Sequence, residues 1–318
     1  MLSIRYLASA ARPSYYRTDT EPVPLCCLKK KKFLTRHLTR HSSMYSIRSA
    51  GPKGLGVFAS RFIPRGTRIF SEAPLLSILQ NADVSSLYAS SRHLSPENRI
   101  QLLELSSHVT REQSIIRWNQ AFYHIIKQIF SDLKAKLRGE GTSTDTTFSF
   151  IKPGSIKQHS AILSIFRSNA FALGHDSKIH QAVFPLISRI NHSCVPNSQG
   201  NFHETLGKFN IHATRDIDIG EELTLNYLQE RGSLQASRQS RLLAGYGFNC
   251  DCPACDLTIS RGYEGEKSRV KMHEVLRTFA ESIEKDGNQN TEEELRITQL
   301  FIGLLEGEGI AGREVATM

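Results

Sequence analysis

The 318 residues, 39% hydrophobic and 22% charged, have ordinary globular composition, with room for one large domain or two smaller ones. No run of about eighteen apolar residues marks a membrane helix, and no repeat of solenoid period occurs. The formal net charge of +9 sits almost wholly in residues 1–48, where ten Lys or Arg face only Asp19 and Glu21, so the body is nearly neutral and direct nucleic-acid binding by it is not expected.

Residues 1–44 form a basic tail that admits three readings. MLSIRYLASAARPSYYRT carries Arg and Ser and no acid before Asp19, the composition of a mitochondrial transit peptide. KKKKFLTRHLTRH is the kind of basic cluster that serves as a nuclear address or polyanion patch. A disordered extension, or a start assigned upstream of a true one at Met44, accounts equally well for a short basic run. The cellular address stays open between nucleus, cytoplasm and mitochondrion. LSIRYLASAA lacks the long apolar centre of a secretory signal, so reduced thiols are expected. Cys26 and Cys27 of the tail read as idle, and four cysteines remain: Cys194, Cys250, Cys252 and Cys255.

Regular structure is expected from Tyr45, where YSIRSAGPKGLGVFASRFIPRGTRIFSEAPLLSIL alternates β-rich pieces with Gly and Pro punctuation. From Pro96 to about Leu137 the pattern predicts helix, with Ile115, Trp118, Phe122, Ile126, Ile129 and Leu133 on one apolar face. RGEGTSTDTTFSF breaks it as a polar loop, and helix resumes around Ile162 to Phe171. Short strands return between Val183 and Tyr227, and a short helix around SLQASRQSRLLAGYG leads into the cysteines. Two amphipathic helices follow Ser260, one bearing Val275, Phe279 and Ile283, the other Leu295, Leu300 and Leu304.

Four stretches could carry chemistry. KGLGVFA offers glycines at 54 and 56 that let a ligand approach the main chain, although a G-x-G before a strand is often only a turn; neither a third Gly nor a helix follows, which excludes a dinucleotide fingerprint. RINHSCVPNSQGNF presents Asn191 and His192 as polar-ligand groups, or as structural caps. GEELTLNY places Tyr227 at a strand end, where functional groups project from a rigid base, unless its ring is simply core. GYGFNCDCPACD packs Cys250, Cys252 and Cys255 at C-x-C-x-x-C spacing, three ligands of a structural zinc site that takes four. Cys194, beside a Pro-containing turn, could close that site from a distance.

Taken together and in this order, KGLGVFA…IPRGTRI…EAPLL, FPLISRINHSCVPN, GEELTLNY and YGFNCDCPACD resemble the SET-domain family of protein-lysine methyltransferases, in the branch related to the SET and MYND proteins. The MYND finger itself is missing, since no cysteine lies between Leu28 and Arg189. The resemblance implies an α+β SET fold of small β-sheets with a pseudoknot, in which the NHS segment lies beside the GEEL strand. It implies a SET domain at 45–228 with a helical insert at about 85–171, a post-SET zinc segment at 229–258 and a C-terminal helical region at 259–318. The expected reaction transfers methyl groups from S-adenosylmethionine to the side-chain amine of a protein lysine; a non-catalytic scaffold that binds protein partners is the alternative.

By match to the family, Gly54, Leu55, Gly56, Asn191, His192 and Phe248 hold the methyl donor. Tyr227 and Tyr246 are the catalytic tyrosines, and Phe171 and Phe184 line the lysine channel. Cys194, Cys250, Cys252 and Cys255 hold one structural zinc ion. A monomer is expected, with a protein or peptide lysine as partner and no membrane association.

Overall fold

The computed structural model describes residues 44–79, 85–108, 153–173, 179–228, 232–286 and 291–308, with scattered helical positions between 115 and 134. Residues 1–43 of the basic tail lie outside the described residues, as do Trp118, Ile129, Leu133 and the RGEGTSTDTTFSF loop.

The first strand, β1 (Tyr45–Ser49), pairs antiparallel with β2 (Leu55–Ala59), Ser49 facing Leu55 and Tyr45 facing Ala59. The link is a single 3₁₀ turn, Gly51–Lys53, closed by Gly54 at φ 86°, a left-handed conformation that glycine adopts without strain. Strand β3 (Arg68–Glu72) belongs to a sheet ordered β3-β9-β8, with β8 at Ser198–His203 and β9 at Lys208–Ala213. Strand β4 (Leu76–Leu79) belongs to another, β4-β6-β5, with β5 at Ala170–Ala172 and β6 at Ile179–Val183. Both are antiparallel.

One pairing is parallel. β7 (Asn191–His192) lies against β10 (Thr224–Leu225), with Asn191 opposite Thr224 and Leu225 opposite His192. Parallel neighbours need a long crossover, and the β8–β9 hairpin supplies it. The NHS segment therefore does lie beside the GEEL stretch.

Helices α1 (Ser85–Arg92), α2 (Pro96–Leu103) and α3 (Pro153–Asn169) cover the β4 side, and Leu87, Tyr88, Leu102, Ile162, Ile165 and Phe166 pack with Leu76, Ile78 and Val183 into one core. α2 is capped by the Ser95 hydroxyl, which accepts from the Asn98 N–H. A second core, built on Val57, Ile63, Phe184, Ile187, Phe209, Ile211 and Leu223, joins the other sheets.

Three helix expectations are corrected. Helix does not run unbroken from Pro96, because α2 ends at Leu103 and residues 105–108 turn away. Farther on, Ala121 and Ile125 are buried while Ile115 and Phe122 are exposed, so the inward face lies about one residue from the one the larger side chains suggested. Phe171 is in strand β5 rather than helix, because Asn169 ends α3 by donating its side-chain amide to the carbonyls of Ser106 and Ile165.

After α4 (Gln235–Tyr246) and the cysteine loop come α5 (Ser260–Asp286) and α6 (Thr291–Gly307), both where sequence placed helices. Their inward residues differ. Met272 is buried on α5 and Ile297 and Leu305 on α6, whereas Leu295 and Leu300 are exposed. Among the described residues no helix is long and apolar enough to cross a membrane.

Candidate active site and metal centre

Asn197, the last residue of NHSCVPN, fastens this segment to the GEEL stretch. Its side-chain N–H₂ donates at 2.8 Å to both Glu221 Oε1 and the Glu222 carbonyl, and its Oδ1 accepts from the Thr224 N–H at 2.8 Å. Ser198 adds a hydroxyl bond to the Thr224 carbonyl. Asn191 reaches the other way, donating to the Leu55 carbonyl at 3.2 Å and to Glu222 Oε1 at 2.7 Å. The glycine turn, the NHS segment and the GEE stretch are thus one hydrogen-bonded unit.

That unit rests on Glu72 of the EAPLL motif. Its two carboxylate oxygens accept from the Leu186 and Ile187 N–H groups, both at 2.9 Å, and so start the turn that leads into Asn191. Burial outweighs those two amides and pushes the Glu72 carboxyl up to about 7.

His192 is buried, and both ring nitrogens are engaged. The Tyr227 N–H donates to Nδ1 at 3.0 Å, which leaves the ring proton on Nε2, 3.3 Å from Cys194 Sγ. Burial drives the His192 pKa down to about 4, so the ring is neutral. Only the main chain of His192 is left for a ligand.

The Tyr227 hydroxyl donates to the Ile190 carbonyl at 2.7 Å. Its ring lies 4.9 Å from that of Tyr246 and 5.2 Å from that of His192, and Phe248 stands 6.4 Å from Tyr246 and 6.0 Å from His192. Burial, then the neighbouring Tyr246 and Glu222, raises the Tyr227 pKa above the ordinary phenol range; burial raises Tyr246 as well. Both phenols are therefore neutral hydrogen-bonding groups.

Of the two phenylalanines read as channel lining, Phe171 is half-buried and Phe184 fully buried. Their rings are 6.1 Å apart, and each is 5.2 Å from Phe209. Gly54 is exposed, with nothing within 4 Å of where a side chain would stand, which leaves the backbone open to a ligand.

The four cysteines meet. Their sulfur atoms all lie within 4.8 Å of one another, Cys194 being 3.6 Å from Cys255 and 4.0 Å from Cys250. A tetrahedral zinc–thiolate site, with bonds of about 2.3 Å, sets its sulfurs roughly 3.8 Å apart. The four thiols are thus spaced to hold one zinc ion. As free thiols they share protons: bonds to Cys250, Cys252 and Cys255 push Cys194 far up, while bonds with Cys194 and Cys250 bring Cys255 down to about 7. A metal ion resolves such a cluster by replacing the protons.

Helix α4 supplies the frame that sequence reasoning missed. The Gln239 amide brackets Cys250, donating to its carbonyl and accepting from its N–H, both at 2.7 Å. Gln235 donates to the Cys255 carbonyl at 3.3 Å, and Arg238 donates to the Ala254 carbonyl at 2.9 Å and to Cys255 Sγ at 3.6 Å. Gln235, Arg238 and Gln239 share a helix face by spacing, and that polar pattern directly before the cysteines was the available signal. Gly247 then ends the helix at φ 78°, its N–H donating to the Leu242 and Leu243 carbonyls at 3.0 Å. A side chain there would overlap the His108 ring. This turn swings Phe248 back toward His192. The Lys53 ammonium closes the outer edge at 2.9 Å from Asp251.

A family model described as the SET domain matches residues 54–228, more than half of the chain. Among curated proteins, the histone-lysine N-methyltransferase set5 of Schizosaccharomyces pombe is 27% identical over 216 residues, covering 68% of this chain and 51% of that protein. The protein-lysine N-trimethyltransferase SMYD5 of Mus musculus is 41% identical over 75 residues, 23% of this chain and 18% of that protein. Among solved structures, the SET domain of LSMT bound to lysine and AdoHcy aligns with a TM-score of 0.41 and 15% identity, over 67% of this chain and 54% of that one. The match thus spans about half the length of the fission-yeast relative.

Proposed function

The chain belongs to the SET-domain family, and from that premise we propose that it transfers methyl groups from S-adenosylmethionine to the side-chain amine of a protein lysine. The observation that carries the reading is the meeting of Asn191, Tyr227, Tyr246 and Phe248 around one parallel strand pair, beside the open glycine turn. The relatives named above are lysine methyltransferases by name, in keeping with this reading.

S-adenosylmethionine, when bound, supplies an electrophilic methyl group on a positively charged sulfur. We assign the backbone of Gly54, Leu55 and Gly56, the Asn191 side chain, the His192 main chain and the Phe248 ring to holding it. Phe171, with Phe184 behind it, and Tyr246 are assigned to the lysine channel. The SET domain is assigned to 45–228 with its insert at about 85–171, the post-SET segment to 229–258 and the helical region to 259–318.

A lysine has an ordinary pKa of about 10.4 and must lose a proton before it can attack. The aromatic walls favour this by desolvation, which disfavours the ammonium form, and the proton passes to solvent water. Tyr227, held neutral, does not take that proton; its hydroxyl orients the amine lone pair. Positioning then supplies much of the acceleration. Tyr246, with its phenol 4.9 Å ring to ring from Tyr227, sets the space around the amine and so the number of methyl groups it accepts.

Two measurements test this. Purified protein with radiolabelled S-adenosylmethionine and candidate protein substrates is expected to label lysine, and calorimetry is expected to show donor binding without substrate. Absence of donor binding would sink the reading and leave a scaffold.

A further inference from the structure

Arg238 is buried to 4% exposure, yet neither the glycine turn, the tyrosines nor the aromatic wall needs it. Burying a guanidinium is costly unless its charge is matched and its N–H groups are used. Here Nη1 donates to the Ser233 carbonyl just ahead of α4, and Nη2 donates to the Ala254 carbonyl at 2.9 Å and to Cys255 Sγ at 3.6 Å in the cysteine loop, while Nε is buried without a hydrogen-bond partner among the described residues. Burial lowers its pKa, but the sulfurs of Cys194 and Cys255 and the Glu266 carboxylate outweigh that and raise it.

Behind Arg238 stand the C-terminal helices. Glu266 of α5 lies 3.5 Å from Arg238 and 3.7 Å from Arg269, and its Oε1 accepts from the Gln235 N–H at 2.7 Å. Arg269 is in turn paired with Glu308 just beyond α6, whose Leu305 packs into the same apolar cluster as the four cysteines. The charges alternate from the sulfurs outward: Arg238, Glu266, Arg269, Glu308. Four thiolates around one divalent ion leave two net negative charges in a buried place, and Arg238 is a cation that touches them at Cys255.

We propose that Arg238 is a positioning residue of the metal centre, supplying counter-charge and an N–H donor to the zinc-bound thiolate of Cys255, and that Glu266 of the C-terminal helix holds it there. The C-terminal helices thereby become the back wall of the metal centre. This does not rest on the methyl-transfer reading. Groups of this kind around metal ligands typically alter metal affinity by about 10- to 100-fold when removed.

The test uses the full chain, with zinc affinity measured by competition against a chromophoric chelator and the thiolate-to-metal charge-transfer band read in the cobalt(II)-substituted protein. Arg238→Met is expected to lower zinc affinity by about 10- to 100-fold and to move the band to longer wavelength, because a thiolate without its N–H donor gives up charge more readily. Arg238→Lys, which keeps the charge without the two-pronged grip, is expected to fall between. If Arg238→Met does not fold, Arg238→Lys and Glu266→Gln decide, each expected to weaken zinc and shift the band. Wild-type affinity with an unmoved band overturns the proposal. So does weakened affinity with an unmoved band, since a merely structural role lowers occupancy without touching the sulfur electronics.

Discussion

Tyr227→Phe removes one oxygen and little else. The ring contacts to Tyr246 at 4.9 Å and His192 at 5.2 Å survive, and so does the main-chain bond from residue 227 to His192 Nδ1. What is lost is the 2.7 Å bond to the Ile190 carbonyl, about 0.5–1.5 kcal/mol of stability. At roughly 1 kcal/mol, Tm moves by about 1–2 °C for a chain of this length. The rate should respond far more. If the hydroxyl orients the amine, its loss costs about 100-fold in kcat, equivalent to roughly 2.7 kcal/mol of barrier. The assay pairs initial rates with labelled S-adenosylmethionine and a methyl-accepting protein with calorimetric donor binding, which should stay unchanged. The rising limb of the pH–rate profile should also persist in the variant, because the phenol is held above its ordinary range and the titrating group is the lysine. Wild-type rates in the variant, or donor affinity falling in step with the rate, would refute the role given to Tyr227.

Three further outcomes are expected. Cys194→Ser should lower zinc content by atomic emission and Tm together, since its sulfur lies 3.6 Å from Cys255 and 4.0 Å from Cys250; full zinc retention would mean that the fourth ligand lies elsewhere. Gly56→Ala puts a methyl group 2.4 Å from Glu222 Oε1, the atom that Asn191 holds at 2.7 Å, so about 1–3 kcal/mol of stability should go and donor binding should weaken; unchanged calorimetry would separate the glycine turn from the donor. Glu72 is raised from 4.5 to about 7 in the fold, so its contribution is fully present below about pH 4.5 and is lost as pH rises through about 7, roughly 3 kcal/mol in all. Against Glu72→Gln, which cannot titrate, wild-type Tm should therefore decline more steeply between these limits, and parallel profiles would contradict the burial argument.

Short motifs with local geometry were readable in advance. Glycines 54 and 56 mark a place of close main-chain approach, SLQASRQSRLLAGYG reads as a short helix, and the C-x-C-x-x-C spacing already places three sulfurs together, so these features follow from a few adjacent residues. Cys194 was available as a fourth ligand because no other cysteine of the body is left, whereas the meeting of Asn191 with Tyr227 came through the family resemblance, because a parallel pair closed across the β8–β9 hairpin leaves no periodic trace in either strand. Helix faces were harder. Ile115 and Phe122 are exposed while Ala121 and Ile125 are buried in the insert, and on the C-terminal helices Met272, Ile297 and Leu305 are buried while Leu295 and Leu300 are exposed. Hydrophobic size marks a face only where the partner surface is deep enough to take it.

Least legible was the set of polar groups that hold the site without belonging to it. Asn197, Glu72, Gln239 and Arg238 each stand outside the residues read as chemistry, and each satisfies main-chain or sulfur atoms that would otherwise be buried unpaired. Such groups are set by the fold's own hydrogen-bond requirements, which appear only once chain segments are brought together. The consequence is mechanical. The His192 ring joins the Tyr227 backbone to Cys194, and Arg238 joins Cys255 to α5. A disturbance of the C-terminal helices therefore has a short path of direct contacts to the Tyr227 main chain, through the metal centre rather than around it.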